Sequence, residues 1–186
     1  WDIALAVEGV RWAKDNGLRG VVLPPMWGRF APYHDACYDP FWEACQELNM
    51  PIHFHSGPSP INDYFGPMPP PEGYKPNQGA VGIYITEVAM WLTRPLTFML
   101  WGGVFERFPK LKVALTEGTS DWVPEYLELL EQRYSETHYS MKLGDYRSNL
   151  SMSPVDYFKR DVKIGASCMP RREAELRHRT GVPQIM

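Results

Sequence analysis

Pro51-Ile52-His53-Phe54-His55-Ser56-Gly57 (residues 51–57) follows a helix-like segment and precedes a long proline-rich run. Successive side chains of a strand point to opposite faces. Ile52, Phe54 and Ser56 would therefore share one face, and Pro51, His53, His55 and Gly57 the other. The stretch reads as a short strand with an apolar side for a core and two imidazoles on the reverse. His55 stands where the strand gives way to a loop, a position from which an imidazole can meet a metal or a substrate. Either histidine could equally serve as a hydrogen-bonding strand residue, since imidazole has many uses.

Working outward toward the start, Ala6, Val7, Val10 and Ala13 recur at helical spacing across 4–16, and Gly17 suits a C-terminal stop. Residues 18–23 form a β-branched run ended by Pro24-Pro25, the pattern of a buried parallel strand. Asp39-Pro40 predicts a helix start, with Asp39 as N-cap, Phe41, Cys45 and Leu48 along one side and Asn49 at the end.

On the other side, residues 57–79 hold Pro58, Pro60, Pro67, Pro69, Pro70, Pro71 and Pro76, seven of the chain's 18 prolines, interspersed with glycines. This composition predicts no regular element. A loop so long inside a compact domain is usually functional or disordered. Tyr64, Phe65, Met68 and Tyr74 give it apolar surface, so an ordered lid is expected. Helical patterns return over 83–93 and 96–108, where Pro109 is a stop, and 111–116 reads as a strand ending at Glu117-Gly118. A helix follows with Thr119, Ser120 or Asp121 as its cap and Trp122, Tyr126, Leu129 and Leu130 along it. Ser153-Pro154-Val155-Asp156 predicts another capped helix, 161–166 a strand and 171–179 a charged helix with a solvated face. Pro183-Gln184-Ile185-Met186 reads as the opening of a last strand.

Strand and helix alternate about four times without an N-G or D-G hairpin turn, which predicts a parallel α/β sheet with crossover helices. An open doubly wound sheet and part of a (β/α)₈ TIM barrel both satisfy the pattern. No G-x-G-x-x-G or G-x-x-x-x-G-K-[ST] follows any strand, which removes the common nucleotide-binding reason for an open sheet. Polar residues gather at strand C-terminal ends (His55, Glu117 and, more weakly, Cys168), where barrel enzymes build their sites. A half-barrel is the better reading.

The 186 residues are 44% apolar and 22% charged with a formal net charge of -3, enough for one globular unit with a sizeable core. No basic run is present, so neither nucleic acid nor an anionic membrane is expected as a partner. No stretch approaches the roughly 20 apolar residues that span a bilayer. The three cysteines, Cys37, Cys45 and Cys168, form no C-x-x-C, and their odd number points to a reducing, cytoplasmic compartment. The chain opens at Trp1 and closes within an apolar run, so residues 1–186 are expected to be one partial domain truncated at both ends.

In a barrel, His55 and Glu117 would be neighbours across one mouth. Imidazole with carboxylate serves either to bind a divalent cation or to move a proton. A catalytic metal usually takes three protein ligands, so others would have to come from loops, for example His34. Glu117 could instead pair with an arginine or favour the following helix start. Trp122 and the lid aromatics Tyr64 and Phe65 could line a flat substrate pocket, although aromatics at helical spacing are core by default. His53 is expected to be structural, and Asp121 an N-cap. A retaining glycosidase would need a second carboxylate about 5–5.5 Å from Glu117, and the strand ends offer none. A half-barrel also leaves two unpaired sheet edges, so association into a homo-oligomer is expected, and a non-catalytic binding or assembly module is the rival reading.

Several segments together resemble the amidohydrolase-related family of metal-dependent hydrolases and decarboxylases, which includes aminocarboxymuconate semialdehyde and γ-resorcylate decarboxylases. They are residues 17–25, the helix after Asp39-Pro40, Pro51-x-x-x-His55, Gly103-Val104-Phe105-Glu106-Arg107-Phe108-Pro109-Lys110-Leu111-Lys112, and Glu117-Gly118 with Trp122-Val123-Pro124. The resemblance implies a (β/α)₈ barrel of which this chain covers about strands 4 to 8. It implies one divalent metal ion, zinc or manganese, with His55 as the fifth-strand ligand and a small carboxylic acid, aromatic or unsaturated, as substrate. The family's sixth-strand position, often a histidine acting as base or second ligand, is Glu117 here, which leaves open a carboxylate base or other chemistry. The first-strand H-x-H pair and the eighth-strand aspartate have no counterpart in these residues; the aspartate would be expected shortly past Met186.

Overall fold

In the computed structural model, which describes residues 2–57, 60–136, 142–165 and 169–186, the central stretch is a strand. Its neighbours are Val21–Leu23 (β1) on one side of Ile52–His55 (β2) and Val113–Thr116 (β3) on the other, and β3 pairs in turn with Val162–Gly165 (β4). All three pairings are parallel, and the order in space, β1-β2-β3-β4, is the order along the chain. A doubly wound sheet reverses its order at a switch point. An unreversed run of neighbours, with crossovers of one hand, is an arc of a barrel wall.

The register confirms the two faces expected of residues 51–57. Ile52, Val113 and Val162 form one row and Phe54, Leu115 and Ile164 another, and all six are buried beneath the helices. Val22, His53, Ala114 and Lys163 form the intervening row on the concave face, where Val22 is 71% exposed. His53 is half-buried there over Gly20, and burial lowers its pKa from the ordinary histidine value.

Helix Ile3–Asp15 (α1) is capped by Asp2, whose Oδ1 accepts from the Leu5 N–H at 3.1 Å, and it buries Val10 and Ala13. Helix Asp39–Glu47 (α2) packs beside it and buries Phe41, Trp42, Ala44 and Cys45. Asp39 is the first residue of α2 rather than its cap. A short 3₁₀ turn, Ala36–Tyr38, capped by Asp35, precedes it and leaves Tyr38 at the cap position.

The proline-rich segment departs from expectation. One helical turn, Asn62–Phe65 (α3), forms within it, in a stretch between Pro60 and Pro67 where every residue keeps its N–H. Next come Ala80–Glu87 (α4), Met90–Trp101 (α5) and Val104–Arg107 (α6). The break expected near Arg94-Pro95 does not occur. Pro95 lies within α5, buried with Trp91, Leu92, Leu96, Met99 and Leu100, and this burial outweighs the lost backbone bond. The chain breaks instead at Gly102-Gly103, where Gly103 has φ +69°.

Helix Val123–Ser135 (α7) starts after Trp122, without a side-chain cap; Thr119, Ser120 and Asp121 are engaged elsewhere. Helix Pro154–Asp161 (α8) has the expected Ser153 cap, which accepts from the Asp156 N–H at 3.2 Å. Helix Arg171–Thr180 (α9) is solvated on its arginine side but buries Glu173, so its face is not uniformly solvated. The final run is a 3₁₀ turn, Val182–Gln184, followed by a single parallel bridge from Ile185 to Ile164.

Candidate functional site

β2 ends at His55 and β3 at Thr116, and these two residues are register partners. Strict alternation would send the next side chain, that of Glu117, to the helix side of the sheet. It does not go there, because Glu117 has φ +56°. A left-handed turn at a residue with a side chain costs about 1–3 kcal/mol. Here it brings Glu117 Oε2 to 2.9 Å from His55 Nε2. Sequence reasoning placed the two at one mouth by strand order; the contact itself depends on this backbone turn.

His55 is oriented from its other nitrogen. Nδ1 lies 2.6 Å from the Ser56 carbonyl, which can only accept, so Nδ1 carries a proton and Nε2 is directed at the carboxylate. The two side chains are about half exposed (50% and 55%). Even a fully charged contact this open contributes only about 0–1 kcal/mol to stability, so the contact is poorly explained as a stabilising device. Both are suitable donors for a divalent cation. A backbone carbonyl on one ring nitrogen is the usual way a ligating imidazole is held. Among the described residues, however, no group of three His, Cys, Asp or Glu side chains converges as a metal cage.

The loop after β3 is tied down on several sides. The Ser56 hydroxyl donates to the Glu117 carbonyl at 2.5 Å. The Trp122 indole N–H points at the carbonyls of Gly118 and Thr119, at 3.0 and 3.1 Å. The Thr119 hydroxyl donates to Asp121 at 2.8 Å. From α9, Glu173 accepts from Ser120 twice. Neither Glu173 nor Ser56 was singled out from the sequence. Ser56 was legible as a helix-side residue by alternation, whereas Glu173 is 53 positions from Ser120 and no local pattern links them.

The expected aromatic residues lie in two places. The ring of Trp122 meets Tyr126 edge-on at 5.5 Å, while its N–H braces the loop beside Glu117. Tyr64 and Phe65 pack with Tyr84 and Trp91; Tyr64 is 5.3 Å from Trp91, and its hydroxyl donates to Glu87 at 2.5 Å. Burial, followed by the Glu87 carboxylate, pushes the Tyr64 phenol up to about 12. A cavity of about 540 Å³ opens beside Tyr64, lined also by Met26, Trp27, Glu87, Met90 and Arg94. The Arg94 guanidinium lies over Trp27 and Phe98, 5.5 and 5.1 Å from the ring centres. His55, Glu117, Phe65 and Trp122 are not on this wall. His34, a candidate third ligand, packs against Phe98 at 5.3 Å beside Gly102, and no described contact joins it to the pair. Cys168 lies outside the described residues.

An in-order parallel sheet with helices on one face, and an imidazole and a carboxylate meeting where two adjacent strands end, defines a chain of the (β/α)-barrel class. The chain belongs to the amidohydrolase family, whose profile matches residues 1–152. No curated protein matches it. Among solved structures it is similar to an amidohydrolase from Mycobacterium avium subsp. paratuberculosis, at 22% identity and a TM-score of 0.70, over 99% of this chain and 44% of that one. It is also similar to 5-carboxyvanillate decarboxylase from Sphingomonas paucimobilis (22% identity, TM-score 0.69, 100% of this chain and 52% of that one). A third is a dihydroxybenzoic acid decarboxylase from Polaromonas sp., solved with bound manganese and the inhibitor 2-nitroresorcinol (20% identity, TM-score 0.65, 100% and 54%). The likeness supports the barrel fold, and the chain spans about half the length of these structures.

Proposed function

We propose that this chain carries part of the centre of a metal-dependent hydrolase or decarboxylase acting on a small carboxylic acid, aromatic or unsaturated. The observation that carries this reading is the 2.9 Å approach of His55 Nε2 to Glu117 Oε2 at the carboxyl ends of β2 and β3. His55 is the proposed ligand of one divalent cation, zinc or manganese, and Glu117 the carboxylate that takes and returns a proton. When bound, such a cation supplies Lewis-acid polarisation and a place to orient a carboxylate. Around it, Ser56 holds the His55 ring and the Glu117 backbone, and Trp122 stiffens the loop that carries Glu117. Tyr64 and Phe65 are proposed to serve the substrate from the lid. The cavity at Tyr64 offers aromatic and apolar lining from Trp27, Ile83 and Met90, with Arg94 beside the carboxylates of Asp63 and Glu87. The protein is proposed to work in the cytoplasm, with Cys37 and Cys45 as free thiols.

A second reading, a barrel-derived binding module without turnover, is favoured by one observation: the described residues supply two convergent donors where a catalytic metal usually takes three. Metal analysis after equilibration with Mn²⁺ or Zn²⁺ separates the readings. In the full-length protein, His55→Ala is expected to lose bound metal, whereas Glu117→Gln keeps it and loses turnover. Full metal occupancy in His55→Ala would sink the assignment.

A further inference from the structure

Glu117 and Thr119 both have φ +56°, two left-handed residues with side chains in one short loop. Such residues persist only where their surroundings over-determine the backbone. Gly118 between them packs closely, since a Cβ there would fall 1.8 Å from Leu92 Cδ1 and one of the two would have to shift. Ser56 and Trp122 hold the carbonyls of this loop, but they flank it within the same two βα units. The remaining anchor comes from α9, one unit further round the arc.

Glu173 is only 4% exposed on a helix whose other charged groups, such as Arg171 and Arg179, face solvent. Its Oε2 accepts the Ser120 backbone N–H at 2.8 Å and the Ser120 hydroxyl at 2.6 Å. Arg172, the preceding residue, lies 3.7 Å from Asp121, which accepts from the Thr119 hydroxyl. Burying a carboxylate is costly unless its hydrogen bonds are made, and a helix that only had to pack would carry an apolar residue here. Both described bonds of Glu173 end on the same residue of the site loop.

We propose that Glu173 is a positioning residue: through Ser120 it holds the β3–α7 loop in the left-handed conformation that turns Glu117 toward His55. This rests on the reading of His55 and Glu117 as a functional pair.

The test uses NMR of the full chain at low concentration, where the His55 ring is assigned among five histidines with His55→Gln. Glu117→Gln serves as the reference and is expected to move the His55 ring resonances directly. Glu173→Gln is expected to move them in the same direction. It should also speed exchange of the Trp122 indole N–H by roughly ten-fold or more. Ser120→Ala, which deletes only the hydroxyl donor, should do the same to a smaller extent and keeps the test readable if Glu173→Gln does not fold. A lowered melting temperature with His55 and Trp122 signals unchanged in every one of these two variants that folds overturns the proposal and leaves Glu173 a stabiliser of α9. If Glu117→Gln itself leaves the His55 ring unmoved, the pairing fails, and the proposal falls for that separate reason.

Discussion

At the scale of single residues, the site depends on positions where the backbone leaves ordinary strand geometry. Glu117 reaches His55 because its φ is positive, and Gly118 permits the turn because Leu92 fills the space a side chain would need. Gly118→Ala should therefore force either Leu92 or the loop to move, at a cost of about 1–3 kcal/mol as in other overpacked cores. Adding Leu92→Ala should recover part of that loss, and denaturant unfolding of the single and double variants measures the coupling. Glu117 was legible in the sequence as a strand-end acid. Its turn toward His55 was not, because side-chain alternation predicts the opposite face.

At the scale of elements, the helical part of the run 103–112, one of the segments that carry the family resemblance, is scaffold. Glu106 accepts hydrogen bonds from the Ser151 N–H at 3.2 Å, the Ser151 hydroxyl at 2.8 Å and the Tyr157 hydroxyl, fastening α6 to the start of α8. Arg107 donates to Asp39 at 2.9 Å and to the carbonyls of Gly102 and His34 at 2.9 and 3.2 Å, fastening α6 to α2 and the loop before it. The Tyr157 hydroxyl, followed by Ser151, holds the Glu106 carboxyl below its ordinary value of 4.5. A lowered folded-state pKa means that the unfolded chain binds the proton first. The stability from this clamp is thus present above the ordinary value and lost as pH falls through the folded one. Melting curves between about pH 3 and pH 6 should show the acid-side fall in Tm flattened in Glu106→Gln relative to the native chain. The helix boundaries around this run were misplaced from sequence because Pro95 reads as a breaker locally, whereas its buried neighbours keep it helical.

At the scale of the molecule, the four strands form an arc whose helix-side rows are buried, while on the opposite face Val22 is exposed, His53 and Lys163 are half-buried and Ala114 is buried. Val22 is 71% exposed on β1, the strand at one end of the sheet. Earlier in the chain, Leu5, Trp12 and Leu18 are 63%, 62% and 51% exposed. An uncovered strand edge next to apolar surface is a template for association. Expressed as residues 1–186, the chain should self-associate reversibly. Sedimentation velocity over a concentration series should show a rising weight-average mass, and Val22→Lys, which places a charge on that strand, should lower it. Among the described residues no helix is long and apolar enough to cross a membrane.

The sequence by itself determined the parallel α/β character, the two faces of residues 51–57, the location of His55 and Glu117 at strand ends, and the family. The first three follow from periodicity and from residue types that local sterics restrict, so neighbours in the chain suffice to read them; the family follows from the likeness of whole segments such as residues 103–112. Only the tertiary structure decided that the strands lie in chain order, that Glu117 turns back to meet His55, and that Glu173 is buried on an otherwise charged helix. Each of these depends on contacts between segments far apart in the chain. Which carboxylate gives up water is settled by the partners that reach it, and the partner of Glu173 lies 53 residues away.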